Sequence, residues 1–156
     1  MSEPAVIHST FAIERSYPQP PQRVYAAFAQ SARKRRWYAE GDHEIQEFEM
    51  EFRVGGGERL RYRFKSGHPI AGSEILNEST YQDIVPEKRI VTTAKMSLNG
   101  KPIQITLLTF EFQPAESGTD LILTSQGTFI DWPDGPKMIE QGWRGLFVRL
   151  GEELAS

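Results

Sequence analysis

Residues 136–154, PKMIEQGWRGLFVRLGEEL, decide the fold of this 156-residue chain because they carry its longest helical pattern. A proline suits the first helical turn, with Asp134 or Gly135 as the cap. Gly142 and Gly145 each disfavour the helix by about 1 kcal/mol relative to alanine, so we interpret them as points of close approach by the sheet or by a ligand, with the sheet preferred. The pattern predicts an amphipathic helix lying on a sheet. Its apolar stripe comprises Ile139, Trp143, Leu146, Phe147, Leu150 and Leu154.

The start of the chain predicts one strand followed by two short helices. Large apolar residues alternate with small or polar ones over residues 10–17, before prolines end the strand. A first helix is expected from about Pro21 and a second from about Ser31. We expect residues 1–9 to be disordered. The basic run at residues 33–36, RKRR, is interpreted as a solvated helical face on an acidic protein.

The most regular alternation covers residues 47–64. Apolar residues share one strand face, and Glu and Arg residues share the other, on both sides of three consecutive glycines. A three-residue glycine turn would place Phe52 opposite Leu60 and Glu51 opposite Arg61, so that every cross-strand pair agrees. We therefore expect a hairpin whose charged outer face contributes solubility and register rather than chemistry.

Three further stretches are expected to pair as strands. Residues 72–85 form the first, which we expect to be interrupted at residues 77–79, where the alternation fails. The dipeptide Asn99-Gly100 predicts a type I′ hairpin, because both residues tolerate positive φ. Residues 118–129 supply the last strand before the long helix.

The hairpin turn fixes a register and a bend. A two-residue turn sets Met96 opposite Ile103 in the paired strand. The apolar positions then change from odd to even numbers between Leu107 and Leu108. This change predicts a β-bulge at that point, which would bend the sheet far enough to wrap a helix.

Four segments together resemble a known family. They are RWYAEGD at residues 36–42, VGGG at 54–57, NESTYQDIVPEKRIV at 77–91 and EQGWRGLFVRLGEEL at 140–154. With the order of elements, they resemble the SRPBCC (START-like) superfamily. More narrowly, they are similar to bacterial proteins related to the C-terminal domain of the activator of Hsp90 ATPase, often labelled polyketide-cyclase-like.

The resemblance covers residues 10–154 and implies both a fold and a cavity. The fold is α+β, of the helix-grip (START/Bet v1-like) type, and residues 10–156 form a single domain. A curved antiparallel sheet of six or seven strands wraps around the long C-terminal helix, with two short helices after the first strand. The implied apolar cavity lies between helix and sheet, and in the superfamily such cavities hold lipids, sterols, hormones and polyketides.

The apolar strand faces and the helix stripe supply the candidate residues for binding in such a cavity. The apolar candidates are Phe28, Trp37, Phe48, Met50, Phe52, Tyr62, Phe64, Met96, Phe110, Met138, Trp143 and Phe147. Tyr62, Tyr81 and Gln126 are candidate polar handles, because each can sit in an apolar wall with one hydrogen-bonding end free. Complete filling of the core is an equally good interpretation for any single aromatic residue.

Composition and motifs argue against several function classes. With 18 basic and 21 acidic residues, the chain has no global field favouring nucleic acid or anionic lipid. No stretch approaches the roughly 20 apolar residues of a spanning helix, and no signal peptide is recognised, so we expect no membrane insertion and a cytoplasmic protein. The chain has no cysteine, which excludes disulfides and thiol nucleophiles.

No cofactor, metal site or catalytic motif is predicted. The histidines, His8, His43 and His68, lie outside any nucleophile or metal motif, and Asp42-His43-Glu44 is interpreted as a solvated loop.

Three functions remain open, in order of preference. The first is a module that sequesters or delivers a small hydrophobic molecule (a lipid, a sterol-like compound or an aromatic polyketide). The second is an enzyme similar to polyketide cyclases and aromatases, which demands an inward titratable group with a shifted pKa. The third is an interaction protein similar to the Hsp90 activator, with an exposed docking patch. Charged outer strands discourage edge pairing, but a homodimer and a chaperone interaction stay open.

Overall fold

The computed structural model describes residues 5–156, which form one antiparallel sheet and three α-helices. The strands are β1 (Val6–Tyr17), β2 (His43–Met50), β3 (Gly57–Phe64), β4 (Glu74–Val85), β5 (Arg89–Leu98), β6 (Lys101–Ala115) and β7 (Gly118–Ile130). The helices are α1 (Pro21–Ala29), α2 (Ser31–Lys34), which continues into a π-helical turn (Arg35–Ala39), and α3 (Gly135–Ala155). The seven strands follow the order β1-β7-β6-β5-β4-β3-β2, so the predicted α+β helix-grip fold is confirmed.

The first strand is longer than the sequence pattern predicts. β1 begins at Val6 and pairs with β7 along its whole length, from Val6 opposite Ile130 to Tyr17 opposite Thr119. The expectation of disorder is therefore wrong for residues 6–9, because the far end of β7 offers them backbone partners. Residues 1–4, to which the same expectation applied, lie outside the described residues.

The hairpin of β2 and β3 forms in a different register from the predicted one. Phe48 lies opposite Leu60, the partner that the glycine turn assigned to Phe52. The glycines of the connection hydrogen-bond to β4 instead. The Gly55 N–H donates to the Tyr81 carbonyl at 2.9 Å, and the Tyr81 N–H donates to the Gly56 carbonyl at 2.9 Å. The predicted three-residue turn is wrong, because the connection pairs with a third strand.

The charged outer face of these strands is confirmed. Ion pairs of 2.5 to 3.8 Å join Glu47 to Arg59 and Arg61, Glu74 to Arg61 and Arg63, and Glu78 to Arg59 and Lys95. All these side chains are partly exposed, so each pair contributes little to stability. Because these charged side chains lie on the outer face, the alternate positions of the same strands point inward.

β4 runs through residues 77–79 without a break, so the predicted interruption is wrong. Asn77 pairs with Leu60 of β3 and with Met96 of β5. Ser79 pairs with Glu58 of β3 and with Ala94 of β5. The polar residues that disturb the alternation are thus strand residues on the inner face.

The Asn99-Gly100 turn forms as predicted, with φ of 49° and 84°. The register shift lies just after this turn, because Ser97 pairs with Pro102 while Met96 pairs with Gln104. Pro102 has no N–H to donate, and such positions commonly carry bulges.

The shift places the even-numbered residues of β6 on its inner face from Gln104 onward. Met96 therefore faces Gln104 and not Ile103, and pairing is regular between Leu107 and Leu108, so the predicted register and bulge are both wrong. The inner face gains two polar residues, Gln104 and Thr106. Ile105 and Leu107 are instead exposed on the outer face.

The two halves of α3 meet the sheet differently. The second half packs against β1 and β7, where Phe147 and Leu150 have no exposed surface. The Tyr17 hydroxyl donates to the Phe147 carbonyl at 2.7 Å and ties the helix to β1. We call this region the packed side, and the region between the first half of α3 and β3–β6 the open side.

Candidate functional site

The open side contains a cavity of about 600 Å³. Its roof is the first half of α3, from Met138 to Leu146, and its floor is the inner face of β3, β4, β5 and β6. Ligand pockets in proteins commonly measure about 300–1,000 Å³. The volume is therefore sufficient for a small molecule.

Some of the predicted binding residues lie on the wall of this cavity. They are Phe28, Tyr62, Phe64, Tyr81, Met96, Phe110, Met138 and Trp143. They come from α1, the four floor strands and α3, so the fold brings together residues that are far apart in sequence. Their role in binding stays a prediction.

Three other predicted residues belong to the packed core instead. Trp37 is buried, with its indole N–H donating to the Ala27 carbonyl at 2.8 Å. Phe147 lies where α3 touches the sheet. Phe52 follows the end of β2 and does not pair with β3. Its ring lies behind the wall, edge-on to the ring of Tyr81, with 5.0 Å between ring centres.

The remaining three candidates also lie off the wall. Phe48 and Met50 are half-buried on β2, the edge strand, which the cavity does not reach at these positions. Gln126 is exposed and paired with Leu107 on the outer face of the sheet, so its placement as an inward polar handle is wrong.

The floor carries buried polar side chains that sequence analysis missed. Gln104, Thr106 and Thr92 are only 5 to 6% exposed, and all three line the cavity together with Asn77. Within residues 5–156 these four side chains form no hydrogen bond, and none of their N or O atoms is sealed from the cavity that they line. Buried polar groups are normally hydrogen-bonded, so these groups are available to a molecule in the cavity.

A charged cluster lies at the inner end of the cavity. Lys34 and Glu58 are 5% and 7% exposed, and the lysine Nζ donates to Glu58 Oε2 at 2.9 Å. The hydroxyl of Tyr81 donates to the same oxygen. The Nζ also lies 4.6 Å from the ring centre of Tyr38 and 5.5 Å from that of Phe28, within the range of cation–π attraction.

This cluster corrects the interpretation of the basic run. Arg35 and Arg36 are exposed as expected, but Lys34 points inward. Two signals could have revealed the pair. Glu58 has the same strand parity as the apolar residues that follow it in β3, and Lys34 precedes the buried Trp37 by three residues, which places both on one helical face.

Burial alters the acidity of the tyrosines around the cavity. Desolvation raises the pKa of Tyr62 to about 12. It also raises the pKa of Tyr38 and of Tyr81, and the negative charge of Glu58 raises both further. These hydroxyl groups therefore stay protonated near neutral pH and serve as neutral hydrogen-bonding groups.

Two histidines stack on aromatic residues of the wall. His43 lies against the ring of Tyr62, with 4.1 Å between ring centres, and His68 lies against Phe64 at 4.2 Å. The predicted solvated loop is wrong for His43, which begins β2 and lines the cavity. Ile70 and Met138, both exposed, lie on the same wall and mark its opening.

The two helix glycines are not points of close approach by the sheet. A Cβ atom added to Gly142 or to Gly145 would meet no atom within 4 Å. Gly142 lines the cavity and Gly145 does not. The preferred interpretation, close approach by the sheet, is wrong because the first half of α3 stands away from the sheet. Close approach by a ligand at Gly142 stays a prediction.

No helix within residues 5–156 is both long enough and apolar enough to cross a membrane.

Comparison with known proteins adds a family and a set of solved structures. The family model for activator of Hsp90 ATPase homolog 1-like proteins matches residues 18–155. A search of curated proteins found no match. A crystal structure of a protein from Rhizobium loti is similar, at 45% identity and a TM-score of 0.86, covering 96% of this chain and 99% of that one.

Two further solved structures share the fold. A protein from Rhizobium leguminosarum is 29% identical, with a TM-score of 0.90 and 99% of each chain covered. A protein from Chromobacterium violaceum is 24% identical, with a TM-score of 0.79 and 94% and 97% coverage, and shows similarity of fold alone.

Proposed function

We propose, from the premise that this chain belongs to the activator of Hsp90 ATPase homolog 1-like protein family, that its cavity binds a small, mostly apolar molecule. One observation carries the proposal: a cavity of about 600 Å³ is lined by inward polar side chains that form no hydrogen bond within residues 5–156. The molecule would bury apolar surface against α3 and satisfy these groups on the floor.

The energetics of the floor support binding. A ligand that covered one of these polar groups without hydrogen-bonding it would lose roughly 1–3 kcal/mol, so the floor favours a molecule that bonds them. Asn77 and Gln104 flank Met96 in one row across β4, β5 and β6, so a ligand lying on this row could reach both amides. Apolar walls with a few convergent polar groups are typical of small-molecule sites.

The first test is native mass spectrometry of the freshly purified protein, followed by equilibrium dialysis against fatty acids, sterols and aromatic polyketides. We expect a co-purifying hydrophobic molecule or saturable binding of at least one panel member. If no molecule co-purifies and no panel member binds, the proposal is contradicted.

Two glycines of one helix supply a matched pair of variants. Gly142→Leu places a side chain in the cavity, while Gly145→Leu places the same side chain on a part of α3 outside it. Both changes favour the helix equally. We expect Gly142→Leu to weaken binding at least tenfold and Gly145→Leu to leave it unchanged. Equal effects of the two variants would contradict the placement of the site.

Catalysis is the second candidate, and the inward carboxylate of Glu58 favours it. Glu58 faces the cavity beside Tyr81, where it could accept a proton from a bound molecule. The test is to incubate a bound panel compound with wild-type protein and with Glu58→Gln and to analyse it by liquid chromatography and mass spectrometry. Conversion by the wild type alone would support an enzyme. An unchanged compound in both samples would leave binding as the function.

An Hsp90-activator-like interaction module, suggested by the family name, is the third candidate. Ile105 and Leu107 are exposed on the outer face of the sheet, but no feature of that face identifies a partner. We therefore rank this function, and assembly into a homodimer, below ligand binding.

A further inference from the structure

We infer that the cavity selects electrically neutral ligands that carry an O–H or N–H donor, and that it discriminates against carboxylates. The inference rests on the proposed function and adds a ligand class to it. It follows from how Lys34 and Glu58 are paired at the inner end of the cavity.

Glu58 keeps one oxygen free to accept a hydrogen bond. Both of its hydrogen bonds, from Lys34 and from Tyr81, end on Oε2. Oε1 accepts none from residues 5–156 and keeps some accessible surface, and Glu58 lies on the cavity wall. A ligand hydroxyl or amide N–H placed here would form a charge-assisted hydrogen bond, which is stronger than one between neutral groups.

Lys34, in contrast, is already engaged. One N–H of its ammonium group is committed to Glu58, and the faces of Tyr38 and Phe28 lie around the Nζ. The pair is neutral as a whole. A ligand carboxylate would therefore meet the negative oxygen of Glu58 without a free cation to compensate for its own desolvation.

The other charged groups of the wall have contacts elsewhere. Lys95 lies 3.8 Å from Glu78, and Asp131 lies 3.6 Å from Lys101. The Arg149 guanidinium forms no ion pair within residues 5–156, but it donates to the Arg36 carbonyl at 2.9 Å, which holds it against the π-helical turn. Within residues 5–156, the free oxygen of Glu58 is thus the charged acceptor that remains for a ligand at the inner end.

A set of three matched probes tests this selectivity: biphenyl, 4-phenylphenol and biphenyl-4-carboxylate, each measured by equilibrium dialysis at neutral pH. We expect 4-phenylphenol to bind the wild type about tenfold more tightly than biphenyl and at least tenfold more tightly than the carboxylate. A carboxylate that binds as tightly as the phenol, or more tightly, would overturn the inference. If none of the three binds and the earlier panel is also silent, the proposed function itself fails.

Glu58→Gln should invert the preference, because it leaves the Lys34 ammonium uncompensated and removes the anionic acceptor. We expect the carboxylate to bind this variant more tightly than the phenol. The double variant Lys34→Met with Glu58→Gln contains neither charge, and it covers the case in which the single variant does not fold. The double variant should lose most of the preference for 4-phenylphenol over biphenyl, because only neutral acceptors remain.

Glu47→Gln is the matched control, because it neutralises a carboxylate of the neighbouring strand on the outer face. It should retain the wild-type order of affinities. An order that changes in Glu47→Gln as much as in Glu58→Gln would mean that net charge, and not the inner end of the cavity, sets the selectivity.

Discussion

The two halves of α3 carry one apolar stripe but lie in different surroundings. In the second half, Phe147 and Leu150 have no exposed surface and pack on β1 and β7. In the first half, Trp143 and Leu146 are only half-buried and line a cavity of about 600 Å³. A helical stripe therefore indicates which face of a helix turns inward, while the distance to the opposing sheet decides whether that face is packed or open.

The floor explains why the open side does not close. The strand opposite the second half of α3 presents Leu121 and Leu123, both with no exposed surface. The floor beneath the first half presents Asn77, Gln104 and Thr106 at equivalent inward positions. Collapse of the helix onto these side chains would bury polar groups without partners, which is unfavourable.

The largest expected effect concerns the buried ion pair of Lys34 and Glu58 on the open side. Lys34→Met leaves the buried carboxylate of Glu58 without its cation, so we expect a loss of about 3–5 kcal/mol in the free energy of unfolding. Adding Glu58→Gln to this variant should restore most of the loss. Urea denaturation of the wild type, the single variant and the double variant measures both values. A loss below about 1 kcal/mol in the single variant would show that the pair is hydrated.

The second prediction compares the two sides with one residue type and one helix. Leu150→Ala creates a cavity in a packed region and should cost about 2–5 kcal/mol. Leu146→Ala, one turn earlier, only enlarges an existing cavity, and it should cost about half as much or less because the leucine has fewer packing partners. Chemical denaturation of both variants measures the difference. Equal losses would mean that the first half of α3 is packed in solution.

The third prediction tests how the packed side is closed at the end of α3. Glu153 accepts hydrogen bonds from Arg36 at 2.6 to 3.1 Å, and these bonds lower the pKa of its carboxyl group below the ordinary value of 4.5. A carboxyl group whose pKa is lowered on folding stabilises the protein at pH values above its ordinary pKa. That contribution is lost as the pH falls through the folded-state pKa.

Arg36→Gln removes the largest cause of this pKa shift. We expect the free energy of unfolding to fall less steeply with decreasing pH in this variant than in the wild type, below a pH of about 4.5. Near neutral pH, the slope of this free energy against pH should be the same in both proteins. Arg36 is about half exposed, so added salt should also reduce the difference. Identical acid profiles would show that Arg36 does not lower the pKa of Glu153.

The fold was accessible from the sequence because its signals are local. The stripe of α3, the Asn99-Gly100 turn and the Glu/Arg alternation each lie within one element or hairpin, and each forms as predicted. The registers were not accessible. The β2–β3 connection pairs with Tyr81 of a third strand. The shift near Pro102 exchanges the faces of β6, because a proline has no N–H for regular pairing with β5.

The site was predicted only in part for the same reason. Aromatic residues of the floor strands were found because alternation points them inward. Gln104 was missed, since the wrong register of β6 turned it outward. Lys34 and Glu58 were missed because each was read with its charged neighbours, although the face of β3 that carries Glu58 is otherwise apolar.

The smallest expected effect comes from the two glycines of α3. Alanine at Gly142 or at Gly145 should raise the free energy of unfolding by up to about 1 kcal/mol, since alanine favours the helix and its Cβ would meet no atom within 4 Å. Thermal and urea denaturation of both variants measures the gain. A gain at Gly145 with a loss at Gly142 would show that the roof of the cavity lies closer to the floor in solution, and the contrast between the packed and open sides would then be smaller than the structure indicates.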